Sequence, residues 1–158
     1  MALDTTETRL ARLEAILDAH AGREGSLLPI LHDVQAAFGC VPAEAIPRIA
    51  DRLNLTRAEV HGVVSFYHDF RDAPAGRIVV RICRAEACKA VGSDALAAAA
   101  EARMGVKMGE TAPGGGVTLE PVYCLGLCAC GPAAMVDGEI LGRMDEARLD
   151  AALTERGA

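Results

Sequence analysis

Four of the chain's six cysteines fall into two close pairs, Cys83 with Cys88 as C-x4-C and Cys124 with Cys128 as C-x3-C. Each pair follows an apolar, β-rich run: RIVVRIC ends at Cys83 and VTLEPVYC ends at Cys124. Two strand ends of this kind bring four thiolates to one point. Four convergent sulfurs suit a soft or borderline metal centre, and an iron–sulfur cluster is the first candidate. Loops leaving strand ends also keep backbone N–H groups free to donate to the sulfurs, which tunes the potential of a cluster. Gly92, Gly126 and Gly131 beside the pairs let the backbone come close.

The competing chemistries need other spacings. Structural zinc favours tighter C-x2-C knuckles, and a thioredoxin-type redox dithiol needs C-x-x-C. A plant-type ferredoxin places a third cysteine three positions after the second, where this chain has Val91. Buried free thiols are the plain alternative, since cysteine packs as a small hydrophobe; two matched pairs at strand ends, each with glycines near, count against it. By spacing alone Cys130 could converge with Cys124 or with Cys128, and Cys40, just after Phe38 and Gly39, reads as a buried or partly buried thiol.

Other residue types offer less. His20, His32, His61 and His68 all lie away from the cysteine pairs in sequence and are expected in surface or capping roles. Ser65 lacks the G-x-S-x-G turn of a nucleophile; its helix is expected to pack Val63, Val64, Phe66 and Tyr67 into the core or against another subunit. The run 114–116 is a glycine turn without the Lys-Ser/Thr of a phosphate loop. Arg81, Arg84 and Lys89 flank the first pair, and cations beside an anionic thiolate cluster favour its reduced form.

The elements that must position the cysteines follow from periodicity. Leu10, Leu13, Ile16 and Leu17 mark one face of a first helix, ended by Gly22 and Gly25. A second helix follows Ser26, with Pro29 in its first turn, and closes at Gly39. PAEAIPRIADRL reads as a third, kinked at Pro47 or started later because of it. Thr56 and Glu59 form a capping box for a fourth. RDAPAG, at 71–76, is the expected boundary, giving a helical domain at 1–74 and an α/β domain at 75–158. Beyond it the order is a strand at 77–82, an Ala-rich helix capped by Ser93 or Asp94 and stopped at Gly105, and a strand at 117–123. A hairpin about Asp137-Gly138 and a final helix at about 145–153 complete it. Strand–helix–strand, hairpin, helix is the order of a thioredoxin-like domain.

Composition narrows the function classes. Hydrophobic residues make up 51% but aromatics only 3%, so the core is aliphatic. A net charge of −6 supplies no footprint for nucleic acid. An iron–sulfur redox sensor that binds DNA through helices at 26–70 is the rival from another class, with only Arg57, His61 and His68 on its fourth helix to meet phosphate. No signal-peptide pattern and no run of about twenty apolar residues occurs. The expectation is a cytoplasmic protein without direct membrane contact, its cysteines metal ligands or thiols and not disulfides.

RICRAEACKAVGS, PVYCLGLCACGPAAMVDGEI and HGVVSFYHDF together resemble the 24 kDa-type [2Fe–2S] subunit family. That family joins C-x4-C and C-L-G-x-C on a thioredoxin-like domain, after a small helical domain with a V-x-x-V-x-S-F-Y signature. The resemblance spans about 27–153. It implies one [2Fe–2S] cluster held by Cys83, Cys88, Cys124 and Cys128, with Cys130 a nearby non-ligand. It also implies an electron-transfer role beside a flavin- and NAD-binding subunit. Members serve NADH:quinone oxidoreductases, NAD-linked hydrogenases and NAD-dependent formate dehydrogenases. CLGLCACGPAAMVDGEIL most resembles the gamma subunit of the soluble formate dehydrogenases, which implies a further iron–sulfur and molybdenum or tungsten catalytic subunit as partner.

Overall fold

A computed structural model describes residues 6–157. They gather into two compact units, Met1–Pro74 and Ala75–Ala158.

The first unit is helical. Helix α1 (Thr6–Ala19) buries Leu13 and Leu17, and α2 (Leu27–Phe38) buries Ile30, Leu31 and Val34. Gly39 closes α2 at φ 78°, returning its N–H to the Gln35 carbonyl. Helix α3 (Ala45–Leu53) starts later than PAEAIPRIADRL suggests, which leaves Pro47 in the first turn, where its missing N–H breaks no helical bond. Helix α4 (Arg57–Phe66) carries the full capping box. The Thr56 hydroxyl accepts from the Glu59 N–H at 3.2 Å, and the Glu59 carboxylate accepts from the Thr56 N–H at 2.8 Å. That backbone donor, with the Thr56 hydroxyl, holds the Glu59 carboxyl below its ordinary value.

Two expectations change in this unit. Val63 and Val64 pack against the core, but Phe66 is 73% exposed and Tyr67 44%, so of the two roles expected for this helix these rings keep only the contact with another subunit. Three and four residues beyond buried Val60, Val63 and Val64 stay on its face, whereas Phe66, six residues on, is rotated by about 240°. His20 is neither a surface nor a capping residue: it is buried, with Nε2 2.6 Å from the Asp33 carboxylate and Nδ1 3.3 Å from the Arg23 guanidinium. Both ring nitrogens thus have a polar partner.

The second unit is built on a four-stranded sheet in the order β2-β1-β3-β4. Strand β1 (Ile78–Cys83) pairs in parallel with β2 (Val117–Val122) and antiparallel with β3 (Ala134–Val136). Strand β4 (Glu139–Leu141) completes a hairpin whose turn, Asp137 at φ 48° and Gly138 at φ 88°, is the left-handed pair that an Asp-Gly sequence favours. Between β1 and β2 come α5 (Glu86–Ala90) and α6 (Ser93–Met104), and α7 (Glu146–Glu155) ends the unit. Ile78, Val80 and Ile82 alternate onto one face of β1, where Leu96, Ala100, Leu149 and Leu153 from α6 and α7 cover them. This is the expected mixed α/β, thioredoxin-like arrangement. Among the described residues no helix is long and apolar enough to cross a membrane.

Candidate metal centre

Parallel pairing decides where the cysteines meet. The register sets Cys83 beside Val122, so the chains leaving β1 and β2 emerge at the same edge of the sheet. Cys83 is fixed on three sides. Its N–H donates to the Ala133 carbonyl at 2.9 Å, the next N–H, of Arg84, reaches Val122 at 2.7 Å, and its own carbonyl accepts the Ser93 hydroxyl. Ser93 therefore does not cap α6, as expected; Gly92 stands at the cap, and the buried Ser93 ties the start of α6 to the end of β1. Asp94, the other expected cap, pairs instead with Arg84 at 2.8 Å.

Cys88 does not lie in a loop. It sits on α5, a single turn that follows directly from the strand end, and its N–H reaches the Ala85 carbonyl at 3.0 Å. The five residues EACKA are too short to show a helical period. Cys124 belongs to the loop after β2, at φ 82°, a left-handed conformation that costs a non-glycine residue about 1–2 kcal/mol. Gly126 follows at φ 80° and donates its N–H to the Cys124 sulfur at 3.4 Å. Cys128 opens a 3₁₀ turn, Cys128–Cys130.

The sulfurs gather as two and two. Cys124 Sγ and Cys128 Sγ lie 3.6 Å apart, and the Cys83 and Cys88 thiols are near enough to shift one another's protonation. The two pairs are neighbours: the charge of Cys128 is felt at Cys88, that of Cys83 at Cys128, and the Cys124 and Leu125 N–H groups reach the Cys83 sulfur. Burial alone would raise the Cys83 thiol, but the N–H groups of Ala85, Cys124 and Leu125 and the Cys88 thiol bring it below its ordinary value. Burial and the hydrogen bond to Cys83 push Cys88 up, and the hydrogen bond to Cys124 pushes Cys128 up. Cys83 and Cys88 are 1% and 2% exposed, whereas Cys124 and Cys128 are open to solvent.

This arrangement fits a binuclear iron–sulfur group. Two sulfurs on one tetrahedral metal, at bonds of about 2.3 Å, stand about 3.8 Å apart, close to the separation of the outer pair. Among the described residues no three His, Cys, Asp or Glu side chains are arranged to hold a single ion. Two neighbouring thiol pairs would instead offer one pair to each of two irons. Backbone N–H donors on the sulfurs stabilise the negative charge such a group carries. Gly131 lets the backbone pass close to the sulfurs: a Cβ there would lie 3.4 Å from Cys88 Sγ and 2.9 Å from Val91 Cγ2.

The remaining candidates stand apart from this grouping. Cys130, half-buried on the 3₁₀ turn, accepts the Arg143 N–H at its carbonyl, and its thiol takes no part in the sulfur–sulfur contacts among the described residues. Cys40 belongs to the helical unit, where burial raises its thiol. Ser65 donates its hydroxyl to the Gly62 carbonyl one helical turn back. Two of the three cations beside the first pair are tied to carboxylates, Arg81 to Glu120 at 2.8 Å and Arg84 to Asp94, so the field of these two at the sulfurs is offset. Sequence reasoning missed Ser93, Val91 and the backbone of Cys124; no residue pattern announces a left-handed cysteine or a hydroxyl bonded ten positions back.

Residues 13–156 match the family model of the thioredoxin-like [2Fe–2S] ferredoxin. The chain is 34% identical over 146 residues to a subunit of the NADH-quinone oxidoreductase of Rhizobium meliloti, covering 92% of this chain and 87% of that one. It is 32% identical over 133 residues to the HndA subunit of the NADP-reducing hydrogenase of Solidesulfovibrio fructosivorans, covering 84% and 78%. The crystal structure of an NAD⁺-reducing [NiFe]-hydrogenase in the air-oxidised state superimposes with a TM-score of 0.71 at 25% identity. That match takes in 83% of this chain but only 22% of the hydrogenase chain. The chain is thus a member of the thioredoxin-like [2Fe–2S] ferredoxin family, and its cofactor is one [2Fe–2S] cluster.

Proposed function

We propose that the chain is the [2Fe–2S] electron-transfer subunit of an NAD-linked oxidoreductase complex, of the NADH–quinone oxidoreductase or NAD(P)-linked hydrogenase kind. The observation that carries this reading is the grouping of sulfurs into an inner and an outer pair at one edge of the sheet. Cys83 and Cys88 hold one iron and Cys124 and Cys128 the other, with Cys130 a bystander. The cluster supplies storage and relay of one electron at a time. Cys83 is held rigidly by β1, Ser93 and the facing strand, and the N–H groups of Ala85, Cys124, Leu125 and Gly126 point at the sulfurs. They favour the reduced, more negative state. The partner is a flavin- and NAD-binding subunit in the cytoplasm, whose two-electron chemistry is divided into single electrons. The helical unit and the ferredoxin unit act as separate domains of this subunit.

The similarity of CLGLCACGPAAMVDGEIL to a formate dehydrogenase subunit finds no support in the relatives named above, which are quinone oxidoreductase and hydrogenase subunits. A molybdenum or tungsten partner is accordingly not favoured. Anaerobic purification is expected to give about two irons and two acid-labile sulfides per chain, and dithionite a spin-half EPR signal. Zinc without sulfide from iron-replete cells would contradict the reading.

A further inference from the structure

The inner and outer sulfur pairs differ in their access to oxidants. Cys83 and Cys88 are almost wholly buried. Cys124 and Cys128 are both exposed, with their sulfurs 3.6 Å apart. A disulfide has an S–S bond of about 2.05 Å, so these two sulfurs need close by only about 1.5 Å. They also stand outside the paired part of the sheet, since the β1–β2 register ends at Val122. Rotation of the side chains and movement of the loop to close this gap break no ladder bond.

We propose that, before the cluster is inserted, Cys124 and Cys128 form a reversible disulfide that gates cluster assembly, while Cys83 and Cys88 remain reduced. The oxidant is a low-molecular-weight disulfide. One of the two cysteine sulfurs attacks it, forming a mixed disulfide and expelling one thiol. The other cysteine sulfur then displaces the second thiol, so that the two cysteines lose two electrons and both of their protons end on the released thiols. Two sulfurs joined to each other no longer supply two thiolates to an iron, so the outer half of the site is closed until a thiol reductant reopens it. This last step rests on Cys124 and Cys128 being ligands; the disulfide itself does not.

The test uses the full-length chain, stripped of iron anaerobically and treated with oxidised glutathione. Free thiols should fall from six to four, with the peptide carrying Cys124 and Cys128 lighter by two hydrogens. Ferrous iron and sulfide should then give no cluster absorbance until dithiothreitol is added. In the Cys130→Ser chain the count should still fall by two. Retention of all six thiols, stable glutathione adducts, a cross-link to Cys83, or loss of the effect in Cys130→Ser would each overturn the proposal. If the reduced iron-free chain also refuses the cluster, the ligand assignment fails and the gating with it, whatever the thiol count shows.

Discussion

The two sulfur pairs are held by opposite means. The inner pair stands on hydrogen-bonded elements: Cys83 ends a strand paired on both sides, and Cys88 rides a helical turn that begins three residues later. The outer pair stands on a loop shaped by left-handed backbone at Cys124 and Gly126 and by a 3₁₀ turn at Cys128. The inner pair is constrained by space and the outer by conformation. A site built this way has one side fixed by the fold itself and one side that can close over a cluster, at the cost of leaving two thiols exposed to solvent.

Three substitutions break or sharpen that contrast. The largest effect is expected at Gly131. Its φ of −67° is one that any residue adopts, so only the space beside Val91 and Cys88 forbids a side chain. Gly131→Ala should cost up to about 2 kcal/mol by overpacking against Val91 and loosen the cluster, as read by denaturant unfolding and visible absorbance. Adding Val91→Ala should recover much of the loss, whereas a purely conformational fault would not respond.

Next is Ser93→Ala. It leaves the buried Cys83 carbonyl without its hydroxyl donor, a loss of about 1–2 kcal/mol, and should alter the EPR signal of the reduced protein because the backbone of the proposed ligand Cys83 is released. The smallest effect belongs to the outer side. A Cβ on Gly126 meets nothing within 4 Å, so Gly126→Ala loses only what its left-handed backbone costs, about 1 kcal/mol. It retains the N–H that bonds Cys124, and Val91→Ala should not rescue it. Equal rescue at both glycines would erase the distinction between the two sides.

How much of this was legible beforehand depends on the range of the interaction. The strand ends at Cys83 and near Cys124 could be read because apolar β-rich runs precede them, and the Asp137-Gly138 hairpin because its turn chemistry is local. Gly39, Gly105 and the Thr56–Glu59 box ended or began helices for the same reason. Helix α5 was hidden by its length, and Ser93 looked like a cap because nothing local marks its bond to Cys83. Phe66 and Tyr67 belonged to an apolar stretch, yet the helical rotation past Val60 carried them into solvent. The close pairs could be read as a candidate metal site; the placing of the two pairs at one edge of the sheet could not, because it comes from the parallel register of β1 with β2.

The assignment of the outer ligand is the point at which the account is most exposed. Cys128→Ala and Cys130→Ala, purified anaerobically side by side, should differ completely in iron and acid-labile sulfide. Cys128→Ala should lose the cluster, and Cys130→Ala should keep about two irons and two sulfides. A cluster that survives in Cys128→Ala and is lost in Cys130→Ala would contradict it.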